Sequence, residues 1–255
     1  MLFVTVAGIA EPLPLPDARI ALFRERVTAR PDDFLTRTLL AGLYLADFRM
    51  RGDPSLLRSA DAELRAAIER KPDHLSAHGL LAATLLTRHR FREAEAAAHA
   101  ALELDPKRLD LLFTLGDAQL EQGRLAEADA TYARAETLLR DHQPGLYARQ
   151  ARLRELQGRD AEAQRLLERA RAVEENDPLD PGDLLYYRVK LGAFHLRHGR
   201  RAAAAALYRR ALRDRPEDPV ALEHLAEVLA AEGKHGDAVA LLDRAIRASG
   251  RPELR

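Results

Sequence analysis

The stretch LLFTLGDAQLEQGRLAEADATYARA, residues 111–135, decides the reading. A first helical segment carries one small residue, Gly116. The segment breaks at Gly123-Arg124, and a second helical segment follows with Ala128 and Ala135. Antiparallel helices approach closely only where side chains are small. Gly116 and the two alanines therefore mark a helix crossing, and Tyr132 between the alanines fills the space toward a neighbouring layer.

The same outline recurs in both directions along the chain, which is the first thing to test in any sequence. The small residues of the first helices are Ala41, Ala82, Gly116, Ala151, Gly192 and Ala226. The paired alanines of the second helices are Ala60/Ala67, Ala94/Ala101, Ala128/Ala135, Ala163/Ala170, Ala204/Ala211 and Ala238/Ala245. In the last five units the step from small residue to first alanine is always 12: 82 to 94, 116 to 128, 151 to 163, 192 to 204, 226 to 238. Ala67, Ala101 and Ala135 lie 34 apart, followed by steps of 35, 41 and 34. Gly123, Gly158, Gly199 and Gly233 close the first helices, and Pro72, Pro106 and Pro216 follow the second ones. An Ala-rich bundle imitates one such unit, but not a fixed step through five.

Composition agrees. Ala, Leu, Arg and Glu dominate and all favour helix, while β-branched and aromatic residues are sparse. Acidic and basic residues balance at 40 each, which gives a nucleic-acid or anionic-membrane role no support. With no Cys, disulfides and thiolate zinc sites are excluded.

These residues resemble the tetratricopeptide repeat, a helix–turn–helix unit of about 34 residues. The match is strongest at 109–142 (Leu112, Leu115, Gly116, Gly123, Ala128, Tyr132, Ala135) and at 185–218 (Leu191, Gly192, Ala204, Tyr208, Ala211, Pro216). The chain reads as a multi-repeat member of bacterial type. The resemblance implies an all-α fold, a right-handed α-solenoid of about six units behind an N-terminal capping helix. The expected organisation is an apolar, Pro-rich segment at 1–16, a capping helix at 17–33, and an array over 34–250 with a tail at 251–255. The units fall near 34–74, 75–108, 109–143, 144–184, 185–218 and 219–250. Two insertions, 49–54 and 176–182, read as surface loops. The fourth unit is the weakest match, with Gln150 and Arg154 at positions normally apolar; with the loop after it, it is the best candidate for a hinge.

The resemblance further implies an inner surface lined by first helices that holds a peptide or protein. The early lining reads as small and apolar, from Leu35, Thr38 and Leu45 to Leu86. The later lining reads as charged and mostly acidic: Asp110, Phe113, Asp117, Glu121, Arg152, Glu155, Tyr186, Val189, Arg197, Glu223 and Glu227. A ligand with a basic and apolar segment suits that lining. The carboxylate clamp of chaperone-binding members is missing, since no Asn lies on a first helix and the lining lacks Lys.

No chemistry is signalled. His74/His78 and His195/His198 have helical spacing that zinc can use, but no third ligand lies near. None of the four serines sits in a nucleophile elbow, and no Gly-rich phosphate loop occurs. We therefore expect no enzyme, no catalytic residue, no metal and no cofactor. The leading expectation is a protein- or peptide-binding scaffold. The alternatives are a membrane-tethered regulatory or assembly factor of a larger complex, and a self-associating structural protein.

The ends leave readings open. MLFVTVAGIA at 1–10 is too short to span a bilayer and lacks the basic start of a secretory signal. It reads either as a packing or disordered segment, or as the stump of a longer anchor ahead of Pro12, Pro14 and Pro16. Arg251-Pro252-Glu253-Leu254 resembles the start of a further unit. The last helix then either frays or exposes an apolar flank that drives homo-oligomerisation. No compartment is named by these features; a soluble domain is expected, cytoplasmic before membrane-anchored.

Overall fold

The computed structural model describes residues 16–139, 143–176 and 181–249. Among them are thirteen α-helices and no strand. After α1 (Pro16–Ala29) come six helix pairs: α2/α3 (Phe34–Arg51, Pro54–Arg70), α4/α5 (Leu75–Thr87, Phe91–Leu104), α6/α7 (Leu109–Glu121, Leu125–Leu138), α8/α9 (Pro144–Leu156, Asp160–Asn176), α10/α11 (Pro181–Arg197, Arg201–Asp214) and α12/α13 (Pro219–Ala231, His235–Ser249). This is an all-helical repeat fold of the solenoid class. The apolar N-terminal stretch and the 251–255 tail lie outside the described residues. No described helix is long and apolar enough to cross a membrane.

The tight turns within pairs follow from backbone sterics. Gly52, Gly123, Gly158, Gly199 and Gly233 all take positive φ, between 71° and 79°. Only glycine adopts that conformation without a Cβ penalty. The second pair departs, for His89 stands there with φ 56°.

The chain forms two compact units, Met1–Thr114 and Leu115–Arg255, divided within α6. In the first unit α1 packs on α2, burying Ile20 and Val27, and Arg24 Nε donates to Tyr44 Oη at 2.7 Å. The expected loop at 49–54 is corrected here. Arg49, Met50 and Arg51 extend α2, Gly52 turns the chain, and Asp53 caps α3 by accepting from the Ser55 N–H. Pro54 opens that helix, where its missing N–H costs nothing. The insertion lengthens the pair to 18 and 17 residues instead of making a loop. Between the first two pairs, buried Asp61 gathers Arg65, Arg88 and Arg90.

In the second unit the loop expected at 176–182 is described only at its two ends. Asn176 ends α9 and Pro181-Gly182 opens α10, each helix running to 17 residues; 177–180 lie outside the described residues. Gln150 and Arg154 also find their reason. Arg154 grips Asp129 of α7 with both terminal nitrogens, at 2.9 and 3.0 Å, and Gln150 Nε2 donates to Glu136 at 3.1 Å. The seam between α7 and α8 is held by polar pairs. The later seams are apolar, with Leu167 against Leu191 and Phe194, and Tyr208 against Leu225 and Val228.

The crossing points show one covariation that only packing explains. Gly116 and Gly192 precede Tyr132 and Tyr208 by 16 residues, while at the same step Ala151 and Ala226 precede Leu167 and Leu242 and Ala82 precedes Ala98; Ala41 and Leu64, 23 apart, hold the corresponding places in the lengthened first pair. A Cβ on Gly116 would lie 2.3 Å from the Tyr132 ring, and one on Gly192 2.5 Å from that of Tyr208. The glycine makes room for the larger ring.

Candidate functional site

The lining residues are placed as follows. In the first unit Leu86 and Phe113 are half-buried and Asp110 is exposed. Asp110 accepts from Arg108 at 2.8 and 2.9 Å, and that guanidinium holds its carboxyl below the ordinary carboxylate value against burial. Of the early positions Leu35 is exposed, but Thr38 and Leu45 are buried and do not line a surface.

In the second unit Glu121, Arg152, Tyr186, Arg197, Glu223 and Glu227 are exposed and Asp117 and Glu155 half-buried. Val189 is corrected: it is 8% exposed and packs in the core with Tyr208 and Leu225. Packing against α11 and α12 buries it, whereas Tyr186 one turn earlier faces out at 48% exposure.

The acids are mostly committed. Asp117 accepts from Tyr132 Oη at 2.7 Å and from Arg149 Nε at 3.0 Å. Burial pushes its carboxyl above the ordinary value, opposed by Arg149 and the tyrosine hydroxyl. Glu155 accepts from Arg197 Nε and Nη2, both at 2.8 Å, tying α10 to α8, and from Arg152 at 3.4 Å. Burial raises its carboxyl, but Arg197 and then Arg152 outweigh that and hold it below the ordinary value. Glu227 lies 3.6 Å from His224. Glu121 and Glu223 have no ion-pair partner among the described residues. Sequence spacing hid this neutralisation, because Arg149 is 32 residues from Asp117 and Arg197 is 42 from Glu155.

A concavity lies on this surface. A cavity of about 350 Å³ opens between α10, the start of α11 and α12, lined by Ala193, Leu196, Arg197, Gly199, Arg201, His224, Glu227 and Ala231. Beside it, Tyr208 is fully buried with its ring stacked 5.4 Å from that of His224, and its hydroxyl has no hydrogen-bond partner among the described residues. Burial pushes that phenol's pKa up. Arg201, His224 and Tyr208 were not singled out from the sequence as site residues. The signal that finds them is the column-by-column comparison of repeats.

The paired histidines diverge. His198 Nδ1 lies 2.8 Å from the Phe194 carbonyl and its Nε2 3.2 Å from Asp160, while His195 is buried. His78 Nε2 lies 2.8 Å from the Pro72 carbonyl and His74 meets the Phe34 ring edge-on. Among the described residues no three His, Cys, Asp or Glu side chains gather as a metal would need.

Two family models of the tetratricopeptide repeat match the chain, at residues 85–144 and 190–251. The chain is a tetratricopeptide-repeat protein. Between the matched stretches lies most of the fourth pair, whose α8 carries Gln150 and Arg154. Solved structures of tetratricopeptide proteins are similar in fold. One, from Parabacteroides merdae, has TM-score 0.75 at 11% identity, covering 94% of this chain and 89% of its own. Another, TTC0263 from Thermus thermophilus, has TM-score 0.65 at 21% identity, covering 77% and 99%. The Cut9–Hcn1 hetero-tetramer of the APC/C contains a chain with TM-score 0.69 at 15% identity; the match covers 91% of this chain but only 44% of that one. A comparison with curated protein sequences found no match. Tetratricopeptide-repeat proteins are in general protein-interaction scaffolds and typically not enzymes.

Proposed function

We propose that this tetratricopeptide-repeat protein holds a partner protein against the first-helix face of its second unit, built from α8, α10 and α12, and transforms nothing. The observation that carries the reading is Tyr186. Its ring stands 48% exposed with Lys190 Nζ 5.1 Å above it, on the same helix that presents Arg197 and the cavity. Exposed aromatic and arginine side chains beside a concavity are the usual anchors of an interface. A ligand chosen by a general acidic lining is less well supported, since Asp110, Asp117 and Glu155 are occupied by arginines. The same occupation speaks for binding over catalysis, because these carboxylates are held in ion pairs rather than poised for proton transfer.

The test is affinity capture on the immobilised chain beside its Tyr186→Ala variant, with the bound proteins identified by mass. A protein held by the native chain and lost from the variant supports the reading. Identical sets on both would sink it.

A second reading, self-association, has its own observation. Leu242 occupies the column of Tyr132, Leu167 and Tyr208, which are 0–6% exposed, yet it is 42% exposed with Val239 beside it at 57%. An apolar stripe of this kind favours association. Light scattering across a concentration series tests it: a mass that rises for the native chain and not for Val239→Glu/Leu242→Glu supports it, and a constant monomer refutes it.

A further inference from the structure

The third and fifth pairs share a crossing geometry but not its polar complement. Laying Gly116 on Gly192 puts Tyr132 on Tyr208 and Asp117 on Ala193. Two residues before the next small residue, Arg149 precedes Ala151 and His224 precedes Ala226. In the earlier copy the tyrosine hydroxyl donates to Asp117, and Arg149 binds the same carboxylate. In the later copy the carboxylate is gone. Tyr208 keeps a buried hydroxyl without a partner, and Ala193 and His224 line the cavity beside it. A buried donor left unsatisfied destabilises the fold, so its retention calls for an account.

We propose that the bound partner supplies the missing acid: an internal Glu or Asp side chain enters the cavity and takes the place that Asp117 holds in the earlier repeat. The His224 ring swings off Tyr208, and Tyr208 Oη donates to the incoming carboxylate. Charge comes from Arg201, exposed in the first turn of α11, and from Arg197 Nη1, since Arg197 spends Nε and Nη2 on Glu155. Glu227 is the one acid in the lining and opposes the ligand. The proposal rests on the scaffold reading and adds what the partner must present.

Propionate, the side chain of glutamate without its backbone, is the probe. Its binding to the full chain is followed through the His224 ring protons by NMR at constant ionic strength, with propionamide as the neutral control. Expected is a saturable shift of the His224 signal with propionate and none with propionamide. Tyr208→Phe, which removes one oxygen, weakens binding at least several-fold, and Glu227→Gln tightens it. A His224 shift that is equal for propionamide, or unmoved by Tyr208→Phe, would overturn the proposal.

A second measurement needs no ligand. Ala193→Asp with His224→Arg rebuilds the earlier triad inside the later repeat. The rebuilt chain is expected to melt about 2–4 °C above its own Tyr208→Phe derivative, a larger gap than the same change makes in the native chain. Equal gaps would count against a carboxylate seat at this hydroxyl. If propionate fails while Tyr186-dependent capture persists, this site is wrong and the scaffold stands. If propionate binds while nothing is captured, the scaffold reading falls and the acid site remains.

Discussion

Gly192 lies against the ring of Tyr208 so closely that a Cβ on the glycine would come within 2.5 Å of it. The crossing of α10 over α11 is set by this pair, as that of α6 over α7 is by Gly116 and Tyr132. Gly192→Ala is therefore expected to destabilise the protein by about 1–3 kcal/mol in urea unfolding, the cost of overpacking. Tyr208→Leu recreates the Ala–Leu pairing found at Ala151 and Leu167. The double variant should then be more stable than the sum of the single losses predicts, and strict additivity would refute the crossing-point account.

Asp117 serves two donors from different helices, Tyr132 on α7 and Arg149 on α8. Asp117→Ala strands both and is expected to cost about 1–3 kcal/mol. Asp117→Asn keeps an acceptor for the hydroxyl and costs less. Burial works against the Asp117 charge, so losing the charge alone costs less than losing the acceptor. Equal losses for the two variants would show that the hydroxyl bond contributes little.

His89 carries a left-handed backbone at the turn where the other five pairs have glycine. His89→Gly relieves that strain, worth about 1 kcal/mol, against greater unfolded-state freedom and the lost contact with Phe91 at 5.6 Å. A small net gain in unfolding free energy is expected. A loss above 1 kcal/mol would show that the ring contact dominates.

His195 is buried with Nδ1 unpartnered among the described residues, and desolvation, then Arg200, lowers its pKa from the ordinary 6.5. Desolvation does the same for His74. A base whose folded pKa is depressed takes its proton first in the unfolded chain. The stability linked to it is full above the unfolded value and is lost as pH falls through about 6.5 toward the folded one. His195→Gln should flatten the decline in melting temperature between about pH 7 and 5. An unchanged slope would place the pH sensitivity elsewhere.

Much of the fold was legible because repeat spacing is a backbone property. The step from Ala82 to Ala94, renewed at Gly116, Ala151, Gly192 and Ala226, counts residues along two helices and a turn. The 49–54 insertion was misread because it has loop composition. Pro54 instead opens a helix, and Asp53 caps it. The surface was read less well. Helical periodicity puts Tyr186 and Val189 near the same side, but neighbouring helices bury one and leave the other open.

By itself the sequence determined the helix pairs, their turns and their crossing residues, because small side chains, glycine turns and proline positions act locally. Tertiary structure alone decided which charges are spoken for, since Asp117 and Glu155 are neutralised by arginines brought from following pairs. It also decided that Tyr208 keeps a hydroxyl without a partner among the described residues, because the acid that the equivalent tyrosine meets in the earlier repeat stands on a neighbouring helix at a position that here is alanine.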